Sequence, residues 1–87
     1  MAVTVIIAVY GGLRDDKPDK AEAKIVTGAL QKAINDTLGE KVQINNTTMG
    51  EDPAVGVVKQ FGAIVEVNGR LGVFACQEDQ TIDFTTP

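Results

Sequence analysis

Two β-favouring runs, Val57 to Val67 and Arg70 to Glu78, meet at Asn68-Gly69, and the rest of the chain must fit around them. Asn-Gly between apolar runs signals a two-residue hairpin, because a type I′ turn needs positive φ at both central positions. With that loop Val67 faces Arg70, and the register follows. One face then carries Phe61, Ala63, Val65, Val67, Phe74 and Cys76; the other carries Ile64, Leu71, Val73 and Ala75. Both faces are apolar, so the pattern predicts a strand pair buried on both sides, in the middle of a sheet, with a second layer on at least one face.

Val3 to Tyr10 is apolar and β-branched and predicts a second central strand, ended by Gly11-Gly12. Leu13 to Lys20 mixes both charge signs around Pro18 and reads as a solvated loop. In the next segment Val26, Leu30, Ala33, Ile34 and Leu38 recur at helical spacing, but Ile25-Val26-Thr27-Gly28 is a poor helix interior. One reading is a helix from Lys20 to Leu38 capped by Asp19. The other, preferred, is a short edge strand over Lys24 to Val26, Thr27 as N-cap and a helix from Gly28, with Gly39 ending it in either case. The thin stripe of Ala29 and Ala33 predicts close packing on the hairpin face where Gly62 and Ala75 lie opposite each other. Lys41 to Asn45 alternates as a half-exposed strand, Asn46 to Gly56 is a loop with turn chemistry at Asp52-Pro53, and Thr81 to Phe84 is a last short strand. The expected architecture is α+β and β-rich: a small antiparallel sheet or sandwich of about five or six strands with one helix packed on it.

At 87 residues the chain predicts a single domain over 1–87 with one core. A net charge of -4 and an acidic pI disfavour nucleic acid and anionic membrane surfaces as partners. The longest apolar run, Val3 to Val9, is too short for a membrane span and lacks the flanks of a signal peptide, so the expected setting is cytoplasmic. Cys76 is the one cysteine, placed beside Phe61 in the hairpin register, and reads as a buried small hydrophobe.

The order of marks from Val9 onward carries a family resemblance. Tyr10-Gly11 after a strand, Val26-Thr27 with Leu30-Gln31, then Gly50, Asp52-Pro53, Lys59 and a closing glycine hairpin resemble one domain of unknown function. That domain lies at the C-terminus of the mitochondrial J-domain (DnaJ-like) proteins of subfamily C, member eleven, and occurs in some bacterial and fungal proteins. The resemblance covers about four fifths of the chain. It implies a compact accessory domain, usually attached to something else, with no catalytic residues established. No J domain and no membrane-associated region accompany it here, so co-chaperone activity and cristae organisation do not carry over.

Candidate chemistry is limited by the absence of histidine, which removes the commonest general base and zinc ligand. Catalysis would rest on carboxylates, Lys59 or Tyr10. The acidic pairs Asp15-Asp16 and Glu51-Asp52 lie in loops and offer oxygen donors suited to calcium, without the spacing of an EF-hand. Lys59 can neutralise Asp52 across the turn or contact a ligand, and Tyr10 reads as a core ring with its hydroxyl at the rim. Met49, apolar among the polar residues Asn46 to Asp52, either plugs the core edge or lies exposed as a contact. Asn46, Met49, Glu51, Asp52, Lys59 and Tyr10 thus form the candidate binding set, with no metal ligands, catalytic residues or cofactor assigned. Three functions fit. The first is a non-catalytic interaction module that binds a protein partner or pairs with itself. The second is a domain for a carbohydrate or other small-molecule ligand, with calcium as an aid, and the third is an enzyme using carboxylates, Lys59 or Tyr10.

Overall fold

A computed structural model of the chain describes residues 3–37 and 41–85. Six strands and one helix occupy them, with two single 3-10 turns, Arg14–Asp16 and Pro18–Lys20, in the charged loop. Strands β1 (Val3–Leu13), β2 (Ala21–Ile25), β4 (Gln60–Val67) and β5 (Arg70–Gln77) form an antiparallel sheet in the order β2-β1-β4-β5. Strands β3 (Lys41–Gln43) and β6 (Thr81–Asp83) pair separately, and α1 spans Thr27–Asp36. The predicted α+β class and strand number are those observed.

The hairpin has the register set by its turn. Val67 pairs with Arg70, Ala63 with Phe74 and Phe61 with Cys76, while Asn68 and Gly69 take φ of 51° and 85°. Burial on both faces is not observed. Val5, Ala8, Tyr10, Phe61, Ala63, Val65 and Val67 line the inner face and are buried, whereas Val73 on the opposite face is 81% exposed. Among the described residues one helix and one two-stranded sheet are left to form a second layer, and they cover one side. Strand β5 accordingly lies at an edge rather than in the middle.

The second layer supplies Leu30 and Ile34 from α1, Val42 and Ile82 from the small sheet, and Ile44, Met49 and Phe84 from the connecting segments, all buried. Phe84 sets its ring edgewise against Phe61 and Phe74, with centroids 6.4 and 4.9 Å away. The helix begins at Thr27, close to the preferred reading, but Thr27 is not its N-cap; Val26 is, without a side-chain cap bond. The threonine hydroxyl instead accepts from the Ala8 N–H at 3.1 Å. Gln31 accepts from the Val5 N–H at 2.8 Å and donates to the Val3 carbonyl at 3.0 Å, and the Val26 N–H donates to the Ala8 carbonyl. Strand β2 pairs only with residues Val9 to Leu13, so these groups from α1 replace an edge strand along the first half of β1. Helix α1 therefore meets β1, on the inner face; Gly62 and Ala75 do pair, but on the outer face, so the predicted packing of Ala29 and Ala33 over them does not occur. The predicted stop at Gly39 lies outside the described residues.

Gly11-Gly12 does not end the first strand, which runs on to Leu13. A Cβ on Gly11 would stand 2.4 Å from the Ala23 Cα and the Glu22 carbonyl oxygen, and one on Gly12 2.7 Å from a Val57 methyl. The glycines let β2 and the Val57-Val58 segment approach the strand closely. A bulge between Val5 and Ile7 inserts one residue, so Val5 and Ala8, three apart, both reach the core while Ile6 and Ile7 both face outward.

Candidate functional site

Four of the six candidate residues gather at one end of the sheet. Tyr10 comes from the middle of β1 with its ring fully buried, and its hydroxyl donates to Asn46 Oδ1 at 2.7 Å. The segment holding Asn46 is a closed turn. Asn45 and Thr48 exchange bonds, the Thr48 N–H to Asn45 Oδ1 at 2.9 Å and the Asn45 N–H to Thr48 Oγ1 at 3.1 Å, and the Met49 N–H donates to the Asn45 carbonyl at 3.0 Å. Lys59, just before β4, is 3% exposed, and its ammonium lies 2.6 Å from Asp52 Oδ1 and 3.8 Å from Glu78 Oε1. Asp52 Oδ1 also accepts the Ala54 N–H, and Glu78 Oε1 accepts the Lys59 N–H.

The electrostatics follow from this arrangement. The hydrogen bond from Lys59, helped by that from Ala54, holds the Asp52 carboxyl below its ordinary range. Burial, reinforced by the negative charges of Glu78, Asp52 and Asp79, pushes the Tyr10 phenol up to about 12. Burial also raises the Cys76 thiol, which is half-buried beside Phe61 rather than fully enclosed. Among the described residues no buried side-chain nitrogen or oxygen lacks a partner. The cluster is thus an internally bonded strut, one ammonium held between two carboxylates, that joins the Asp52 turn, the start of β4 and the end of β5. Glu78 completes it and was not singled out from the sequence, where nothing at position 78 announces a partner 19 residues back.

Met49 is 2% exposed, in contact with the core. Of its two readings the structure gives the plug: the turn from Asn45 folds the side chain inward, so Met49 cannot serve as an exposed contact. Glu51 is exposed beside it. Among the described residues no group of three or more acidic or cysteine side chains converges as a cation cage. Asp15 lies 3.9 Å from Lys20.

The remaining feature is the outer face of the four-stranded sheet. Its rows follow from the pairing. Gln77, Gln60, Gly11 and Ala23 form one row, Ala75, Gly62, Val9 and Ile25 the next, then Val73, Ile64 and Ile7, then Leu71, Glu66 and Thr4. Ile25, Val73 and Leu71 are 73, 81 and 66% exposed, and Ile6, Ile7, Val9, Leu13 and Ile64 lie between 38 and 51%. These fractions amount to roughly 700 Å² of apolar side-chain surface, beyond the largest patch of a typical soluble monomer, about 300–600 Å². Gly62 and Ala75 leave a hollow of about 350 Å³ beside the ridge of Ile7, Ile64 and Val73. The sequence shows the hairpin's share of this face, Ile64, Leu71, Val73 and Ala75, as a side expected to be buried; the share from β1 and β2 comes from the strand pairing.

Comparison of the chain with protein-family models, with curated proteins and with solved structures finds no match. No helix among the described residues is long and apolar enough to cross a membrane.

Proposed function

We propose that the chain is a non-catalytic interaction module and that it binds through the outer face of its four-stranded sheet. The observation that carries this reading is the continuous exposed apolar surface from Ile25 through Val9, Ile7 and Ile64 to Val73 and Leu71. A solvated sheet face normally alternates to polar residues; here only Thr4, Glu66, Gln60 and Gln77 do so, at its two ends. The bonding of Asp52, Lys59, Glu78, Tyr10 and Asn46 among themselves supports the same reading, since a binding pocket or catalytic centre needs polar groups held open for a ligand.

The test compares the wild-type chain with an Ile64→Lys variant as baits in native extract, with a thermal melt of both. A partner retained by the wild type and lost by the cooperatively folded variant supports the reading. Equal retention by both assigns binding to another surface.

A further inference from the structure

The outer face has a shape and a charge pattern that identify its occupant. From these we infer that the face is covered by a second copy of the same chain, sheet against sheet, about a two-fold axis that crosses the strands over Ala8, Ala63 and Phe74. This deepens the reading of the face as an interaction surface and rests on it.

The argument is one of rows. Ala8 pairs with Ala63 and Ala63 with Phe74, and these three point inward, midway between the two central apolar rows. A two-fold along that line turns each row onto the other in the partner. Gly62 then faces Ile64 and Ala75 faces Val73, so the ridge of each copy enters the hollow of the other, and Val9 meets Ile7. Because the operation is its own inverse, each fit occurs twice, as an isologous interface requires. The strands of the two sheets stay nearly aligned, as in stacked sheets about 10 Å apart.

Charge fits the same axis. Each copy carries a net charge of -4, which opposes random pairing, yet Glu66 is the only charged residue in the four rows. Glu66 lies three positions from Ala63 on one side and Gln60 three on the other, so the axis brings Glu66 against Gln60 of the second copy, an acceptor against an amide donor. No like charges meet within the rows. Most of the roughly 700 Å² of apolar surface lies within or beside the four rows, Leu13 falling beyond them, against the ~800 Å² that each partner contributes to a standard interface. An edge-to-edge pair through β5 would leave Ile7, Val9 and Ile25 uncovered.

Sedimentation equilibrium on the intact chain tests this, with circular dichroism to confirm that each variant is folded. The wild type is expected to be a dimer at micromolar concentration. Ile64→Lys, on a central strand that edge pairing cannot reach, is expected to be monomeric. Gln60→Lys is the variant that reads the register, because it sets two new ion pairs to Glu66 across the axis and should tighten the dimer about tenfold. A wild type that stays monomeric at millimolar concentration overturns the self-pairing, as does a dimer indifferent to folded Ile64→Lys. Weakening by Gln60→Lys overturns the proposed axis. If self-pairing fails while the wild-type bait still holds a partner that Ile64→Lys loses, the face remains an interface with a different occupant; if both fail, the wider reading fails too.

Discussion

The single tyrosine gives direct access to the buried end of the sheet. Tyr10 is fully buried with its hydroxyl on Asn46, and burial and the surrounding carboxylates raise it from an ordinary value of 10.0 to about 12. A group whose folded value is raised contributes stability that is present below the unfolded value and is lost as pH climbs through the folded value. Here the window runs from pH 10 to about 12. Two units correspond to about 2–3 kcal/mol of folding free energy, lost at roughly 1.4 kcal/mol per pH unit within the window. Against a total of about 5–15 kcal/mol for a small domain, that loss is large enough to measure in urea titrations.

With one tyrosine and no tryptophan, the phenolate absorbance band reports position 10 alone. The native chain should titrate about two units above the urea-unfolded chain, together with any alkaline unfolding seen by circular dichroism. Tyr10→Phe should flatten the stability profile between pH 10 and 12 while costing about 1 kcal/mol at neutral pH for the lost hydrogen bond. Reversible titration near pH 10 with the fold intact would show that the hydroxyl meets solvent and would refute the described burial of Tyr10 against Asn46.

Three further outcomes are expected. Lys59→Met keeps the buried stem and removes the ammonium, leaving Asp52 and Glu78 facing each other, so its loss in urea denaturation should exceed the ~1 kcal/mol ceiling of exposed pairs; a smaller change would mean the strut is not structural. Gly11→Ala drives a methyl into the β2 backbone and should cost about 1–3 kcal/mol, with faster amide exchange in Ala21–Ile25; unchanged exchange there would refute the close approach. Gly69→Ala meets no neighbouring atom but is held at φ 85°, so a loss of about 1 kcal/mol should appear through backbone strain alone, and an unshifted denaturation midpoint would contradict the turn.

Local chemistry explains which parts of this fold are legible from the chain. Asn68-Gly69 fixes a hairpin register because only a narrow backbone geometry joins two strands in two residues. The residues leave two helix starts open, near Lys20 and near Gly28, and the resemblance is the reason to prefer the one near the observed start at Thr27. What Thr27 does is not legible: its hydroxyl bonds Ala8, 19 residues earlier, and such distant pairing leaves no local periodicity. Gly11-Gly12 misleads for a related reason. The pair looks like a terminator because glycine weakens strands, but its role is set by the backbone of Glu22 and Ala23 and by the Val57 side chain and Val58 carbonyl brought against it. For the candidate site, Asp52 and Lys59 were readable as a pair across a turn, whereas Glu78 and the inward fold of Met49 depend on tertiary contacts.

The apolar outer face is where pattern and structure part in an informative way. Hydrophobic positions on both sides of β4 and β5 predict two covering layers, and the described residues supply one. The two statements are compatible if the second layer comes from another molecule. Two-sided patterning is costly on a solvated sheet, because it exposes aggregation-prone surface. Polar substitution of Ile64 or Val73 would disturb no inward packing, so the core does not require these residues to be apolar. On the proposed reading, contact outside the single chain accounts for their character. Thr4, Gln60, Glu66 and Gln77 flank the central apolar rows along the strands, and on the proposed two-fold the ridge of Ile7, Ile64 and Val73 would enter the hollow at Gly62 and Ala75 of a second copy.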